Sequence, residues 1–193
     1  MTLSTALPPA AADLLSTITA TRPAPDEITA RRTSATALAA ALAANSAAWA
    51  DLVEYRPDRR WSSVLDHATA AAALDPALHA DLVGAQVELF SWLPGQATAL
   101  HDHGGAAGAF AVVHGALTEL TVTETAAGGV HDEEVLLTAG RVRPFAPHHV
   151  HQVTNVGVLP AVSVHVHTPR PTVVHTYRIA ACGLLRTGTE QLG

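Results

Sequence analysis

The spacing of apolar and polar positions changes near Val83. Before it, Ala, Leu and short polar residues recur at helix-compatible intervals, punctuated by Pro23, Pro25, Pro57 and Pro76. Proline cannot continue a helical hydrogen-bond ladder, so these positions predict helices over residues 10–20, 26–49 and 62–73. From Val87 onward the period shortens to two. Short β-type runs occupy 87–93, 109–114, 117–125, 133–137, 142–145, 150–155, 161–167 and 172–179, and turns are expected at Pro94–Gly95, Gly104–Gly105, Gly128–Gly129 and Ala139–Gly140. About eight short strands at roughly ten-residue spacing predict a sandwich, jelly roll or small barrel. There is no βαβ alternation and no phosphate-loop pattern, which argues against a nucleotide fold. Without a Gly/Ser linker, one domain is expected over 1–193: a mostly helical part at 1–82, a β-barrel at 83–182 and a C-terminal tail at 183–193.

The clearest strand is 161–167. Val162, Val164 and Val166 alternate with Ser163, His165 and His167, so period two puts the valines on one face and Ser-His-His on the other. The polar face would be solvent in an open sheet, or the lining of a polar pocket in a barrel.

Composition narrows the function. Hydrophobic residues make up 48% of the 193, enough for a core and against intrinsic disorder. The net charge is -6 and all 11 basic residues are Arg, which argues against a nucleic-acid surface. The first residues do not form a signal peptide pattern, since no Arg precedes the apolar positions and Pro8 and Pro9 interrupt them. The Ala-rich run at 35–50 contains Asn45 and Ser46 and falls short of the roughly 20 residues a membrane span needs. A cytoplasmic protein without membrane partners is expected. The single Cys182 excludes an internal disulfide and is expected as a buried thiol.

The unusual feature is histidine: 12 residues, most of them between His101 and His175. In His101-Asp102-His103 an extended backbone places the two imidazoles on one side, about 6.6 Å apart at Cα, where both can reach one ion. A second cluster follows at His148-His149-Val150-His151, in which His149 and His151 share a face, so either could supply a third ligand. The residues after His103 run Gly104-Gly105-Ala106-Ala107-Gly108-Ala109 and offer no carboxylate. Three neutral imidazoles are therefore expected, leaving a divalent ion its full charge and open positions, a setting in which a substrate thiolate suits iron.

The stretch Trp92-Leu-Pro-Gly-Gln-Ala-Thr-Ala-Leu-His-Asp-His-Gly-Gly resembles the first metal motif of cysteine dioxygenase-type cupins. His151-Gln-Val-Thr-Asn155 resembles their second motif, and Pro160-Ala-Val-Ser-Val-His165 a third strand. The resemblance covers roughly residues 92–169. It implies a cupin double-stranded β-helix, mainly β, with an N-terminal helical region. It also implies Fe(II), or another divalent ion such as Ni or Mn, held by His101, His103 and His151. Members of the family bind a small thiol at that ion and use O2 to oxidise its sulfur to a sulfinate. Ser163 and His165 match two members of the family's Ser-His-Tyr hydrogen-bond relay, and His167 stands where the Tyr would be. Gly108 occupies the place of the Cys that animal members cross-link to that Tyr.

A further departure concerns substrate binding. Members acting on cysteine carry an upstream Arg that pairs with the substrate carboxylate. The local match, Arg60-Trp-Ser-Ser-Val-Leu65, places Ser62 or Ser63 near that position, while a shifted register could deliver Arg59 or Arg60. The remaining polar residues are expected in plain roles. Asn155 fixes a turn, Trp92 forms wall or core, His114 marks a turn, and Arg143, Arg170, Arg178, Glu119, Glu133 and Glu134 face solvent. The expected function is an iron thiol oxygenase acting on cysteine or a cysteine-like thiol. The alternatives are a cupin metalloenzyme with non-oxidative chemistry, such as a lyase or isomerase, and a metal-loaded cupin that binds a small ligand without turnover.

Overall fold

The computed structural model describes residues 23–126, 128–181 and 183–192. The predicted helix over 10–20 and Cys182 lie outside these residues. Helix α1 runs from Pro25 to Ala44. Pro25 suits the first helical position because its φ is already fixed there, and Asp26 and Glu27 face the positive end of the helix. Ala35, Leu38, Ala39 and Leu42 form its buried stripe, at the i, i+3, i+4, i+7 spacing of one helical face. The predicted continuation to residue 49 is instead two 3-10 turns, Ser46–Ala48 and Ala50–Leu52. Between them the Trp49 indole N–H donates to the Leu42 carbonyl at 3.0 Å and anchors the exit from the helix.

The helix predicted over 62–73 is divided. Trp61–Val64 forms strand β1, and only His67–Ala72 is helical (α2). Asp66 separates them: its carboxylate accepts the Thr69 backbone N–H at 3.0 Å, so the helix is capped there and cannot begin earlier. A short α3, His79–Leu82, leads into the barrel.

The remaining strands are β2 (Gln86–Trp92), β3 (Leu100–Asp102), β4 (Ala107–His114), β5 (Ala116–Glu124), β6 (Val130–Thr138), β7 (Val142–Phe145), β8 (Val150–Thr154), β9 (Ala161–Thr168), β10 (Val173–Ala180) and β11 (Gly183–Gln191). The stretch expected as a tail from 183 thus runs as a full strand against β10. The strands form two antiparallel sheets, ordered β1-β2-β9-β4-β7 and β11-β10-β3-β8-β5-β6. This is the double-stranded β-helix expected from the sequence, with α1 laid across the outside of β4, β7 and β9.

The core is split by this arrangement. Under α1, its buried stripe meets Ala109, Ala111, Val162, Val164 and Val166. Between the sheets, Phe90, Trp92, Phe110, Val112, Leu117, Leu137, Phe145 and Val153 fill one part of the interior. Histidines line the rest. No described helix is long and apolar enough to cross a membrane.

Candidate metal centre

Strand β3 lies between β10 and β8, and its His101 stands directly opposite His151 of β8. Opposed residues of an antiparallel pair share a face, so the two rings meet, with centroids 4.8 Å apart. His103 returns to the same side two residues on, 4.8 Å from the His101 ring and 5.3 Å from that of His151. Asp102, between them, points the other way. It accepts the Gly104 backbone N–H at 2.9 Å and the Tyr177 hydroxyl at 2.8 Å, which ties the end of β3 to β10. Gly104 turns the chain at φ 60°, where a Cβ would strike Val173 at 2.3 Å.

One nitrogen from each of His101, His103 and His151 lies within 4.8 Å of the others. His103 Nε2 and His151 Nε2 are 3.1 Å apart. Two nitrogens bound to one ion at about 2.0–2.1 Å, at right-angled to tetrahedral angles, stand about 2.9–3.4 Å apart, so the pair fits a shared divalent cation. His101 Nδ1–H donates to the Ala99 carbonyl at 2.9 Å, which leaves its Nε2 lone pair for the site. Burial lowers the His101 pKa to about 4, helped by the neighbouring His151. Burial also holds His103 and His151 below the usual histidine range. Near neutral pH all three rings are uncharged, the form that ligates metals.

Packing leaves no room for a side chain at position 108. Gly108 of β4 sits opposite Phe145 of β7, and a Cβ at Gly108 would lie 2.4 Å from both the Phe145 ring and the Val166 carbonyl. The Phe145 ring in turn stacks on His103, with centroids 5.1 Å apart and planes at 26°.

His149 does not join the three. Its Nε2–H points to Glu119 Oε1 at 3.1 Å, and the same oxygen accepts from His151 Nδ1 at 2.8 Å. Glu119 and Arg143, expected as solvent-facing, are corrected here. The Glu119 side chain is fully buried and forms an ion pair with Arg143 Nε. Burial alone would favour the neutral acid, but the hydrogen bonds from His149, His151 and Arg143 outweigh it and hold the carboxyl well below its usual range. Period two could not show this. Leu117 and Val122 lie on opposite faces of β5 and both are buried, so neither face reads as solvent.

Strand β9 supplies the opposite wall. Ser163 Oγ lies 2.9 Å from His165 Nε2, and the Trp92 indole N–H donates to the same oxygen at 2.9 Å. The chain of hydrogen bonds thus begins at Trp92 and ends at His165. His167 does not extend it: its ring is 6.5 Å from that of His165, and both its nitrogens are buried without a partner among the described residues. It lies 4.3 Å from the His103 ring instead. Burial lowers its pKa to about 3. Asn155 is buried, and its amide donates to the carbonyls of Trp92 and Leu159, the structural part expected of it.

These groups open onto a cavity of about 460 Å³ that also receives Arg60 and Glu88. Of the residues the sequence match offered, Arg60 lines the cavity, and Ser62 and Ser63 are exposed. Its guanidinium lies over the rings of Phe90 and Trp92, at 4.6 and 5.0 Å. Its Nε and Nη1 are buried without a partner among the described residues. Arg59 instead pairs with Asp58 at the surface. Burial raises the Glu88 pKa, against opposing contributions from Ser62, Arg60 and Gln86.

The facing sheets and the three-imidazole group define a cupin with a candidate metal centre. The chain matches the family described as cysteine dioxygenase type I over residues 26–179, and it belongs to that family. No curated protein matches the sequence significantly. Among solved structures, oxalate oxidase in complex with glycolate is similar at 19% identity and a TM-score of 0.48, over 62% of this chain and 55% of that one. The chain therefore spans about half the length of that oxidase. An oxalate decarboxylase from Lactobacillus farciminis, in its formate complex, gives 14% identity and a TM-score of 0.46 over 71% of this chain and 34% of that one. A protein with a double-stranded β-helix domain from Klebsiella pneumoniae gives 19% and 0.43, over 72% and 93%. Family membership and the three-histidine geometry together support a cupin metalloenzyme.

Proposed function

We propose that this protein is an Fe(II)-dependent oxygenase of a small thiol that carries a carboxylate. The observation that supports this most directly is the group His101, His103 and His151: three neutral imidazoles in one cavity with no carboxylate among them. In that reading these residues hold the ion. When bound, Fe(II) supplies the redox chemistry and the open positions at which a thiolate and dioxygen come together.

The protein's own residues position the substrate. Arg60 anchors its carboxylate, since Nε and Nη1 are buried without a partner among the described residues on a guanidinium already held over Phe90 and Trp92. Glu88 offers an acceptor in the same cavity for a substrate amine. Trp92 can only donate, so the Ser163 oxygen accepts there and its own hydrogen is free for His165 Nε2, which fixes the plane of that ring. His167, whose two nitrogens have no partner among the described residues and whose ring lies 4.3 Å from that of His103, hydrogen-bonds to the bound substrate. Holding thiol and oxygen adjacent in the cavity is the largest contribution these side chains can make.

The test is O2 uptake by anaerobically prepared, Fe(II)-loaded protein with cysteine, 3-mercaptopropionate, cysteamine and cysteine derivatives, with products identified by mass. One thiol should drive uptake and gain both atoms of O2, and His101→Ala should abolish the reaction. Turnover under argon with Mn, Ni or Zn would replace this reading with non-oxidative cupin chemistry, in which the unpartnered His167 is a ready acid–base group. Recovery of tightly bound but unchanged ligand would make the protein a binding module.

A further inference from the structure

Among the described residues, one of the three histidines, His151, is held by a charged side chain. His101 is oriented by a backbone carbonyl, whereas His151 Nδ1 lies 2.8 Å from the fully buried carboxylate of Glu119. That carboxylate is itself fixed from two further directions. Arg143 Nε pairs with Oε2, and His149 Nε2 lies 3.1 Å from Oε1. The three groups come from β5, β7 and the segment entering β8, so Glu119 cannot turn away without breaking contacts to two other elements.

We infer that Glu119 is a positioning residue for the metal centre: it fixes His151 in the tautomer and ring plane that present Nε2 to His101 and His103. A neutral imidazole carries one proton, on one of two nitrogens. A carboxylate accepts and cannot donate, so the His151 proton stays on Nδ1 and the Nε2 lone pair faces the group in which His103 Nε2 lies 3.1 Å away. A histidine without this partner divides between two tautomers and rotates about its side-chain bonds, and each ion bound must first select the right state. The same contact makes His151 the most electron-rich donor of the three, because its N–H shares charge with an anion. Glu119 also decides which member of the His148–His151 cluster serves the site, since it takes His149 Nε2 for itself.

The inference rests on the three-histidine metal reading but not on iron, oxygen or a thiol, and its test uses none of them. In metal-free protein labelled with ¹⁵N-histidine, long-range ¹H–¹⁵N correlation spectra report the tautomer of each ring. Wild type should show His151 protonated on Nδ1. Glu119→Ala should show a mixture, while Glu119→Gln, which keeps an acceptor oxygen at the same reach, should restore the Nδ1–H form. Titration with Co(II), followed by its visible absorption, should give one ion per chain in wild type. Affinity should fall about 10- to 100-fold in Glu119→Ala, with a smaller loss in Glu119→Gln. Circular dichroism and thermal melting separate these effects from misfolding. If Glu119→Ala is unfolded, Glu119→Gln alone decides, through its weaker Co(II) binding at an unchanged tautomer.

An unchanged tautomer and unchanged affinity in folded Glu119→Ala would overturn the inference while leaving the metal reading intact. Two ions per wild-type chain, the second lost in Glu119→Gln, would also overturn it by making Glu119 a ligand. A wild-type chain that binds no Co(II) would remove the metal reading and this inference together.

Discussion

The two faces of β9 carry opposite duties on one backbone. Val162, Val164 and Val166 pack outward beneath α1, within the apolar cluster that includes Ala35, Leu38, Ala39 and Leu42. Ser163, His165 and His167 point inward, where each is buried with its polar atoms either paired along a short chain from Trp92 or left unpaired. Burial stabilises the fold on the first face. On the second it removes the water that would otherwise satisfy His167, and so it works against stability. In the proposed function the neutral imidazoles serve the molecule that enters the cavity, and the outer face offsets the cost of burying them.

This contrast can be broken or sharpened by experiment. The largest expected effect is at the histidine group, where His101→Ala should weaken Co(II) or Fe(II) binding at least about 10³-fold, or about 4 kcal/mol, with little change in the melting temperature of the metal-free chain. A large fall in that melting temperature would make the histidines part of the core and remove the contrast. Next, Arg60→Ala should lower kcat/KM about 10²-fold, or about 2.7 kcal/mol, for thiols bearing a carboxylate but not for cysteamine. Equal losses for both would show that Arg60 does not read a carboxylate.

On the outer face, Val164→Ala removes two buried methyl groups and should cost about 2 kcal/mol in urea unfolding, while the metal affinity of the folded chain holds. The smallest effect expected of any one group concerns pH. An unfolded histidine takes up a proton near pH 6.5, whereas burial keeps folded His167 neutral down to about 3. Below 6.5 the unfolded chain therefore binds more protons, and the stability this group allows is present above that pH and declines as pH falls. Between pH 7.5 and 6.0 the metal-free protein should lose on the order of 0.8 kcal/mol from this group, measured by urea unfolding at the two values. No loss over that range would mean that His167 is protonated, or hydrated, in the fold.

The inner face of β9 was readable because its alternation is strict and its neighbours in sequence are apolar. The pair His101 and His103 was readable because one turn and period two settle where both rings point. His151 needed the resemblance to separate it from His149, and the structure supplies the physical distinction in Glu119. That residue was out of reach, since a strand covered on both faces gives no sign of which polar side chain is enclosed. Arg60 stayed one of several alternatives, beside Arg59, Ser62 and Ser63, for a different reason. The segment 62–73 has helix-compatible composition, and only the cap at Asp66 and the pairing of β1 with β2 show that its first residues are strand. Such pairing depends on residues more than twenty positions away, which local spacing does not contain. β11 was missed for another reason: its partner β10 is adjacent in the chain, but its own sequence is largely polar and carries no alternation.

Gly108 and Phe145 also set which variants of this site can be reached one substitution at a time. A Glu or Cys at 108 would have to displace both the Phe145 ring and the Val166 carbonyl, and the carbonyl belongs to the strand that carries His165 and His167. A fourth ligand at this position therefore needs both a smaller residue at 145 and a shift of the Val166 carbonyl, and a sulfur cross-link needs a Tyr at 167 as well. In either order the first step is penalised: Glu at 108 meets a filled space, and a smaller residue at 145 removes the ring that stacks on His103. The two positions therefore constrain each other, and a side chain at 108 is expected only together with changes at 145 and in the backbone at Val166.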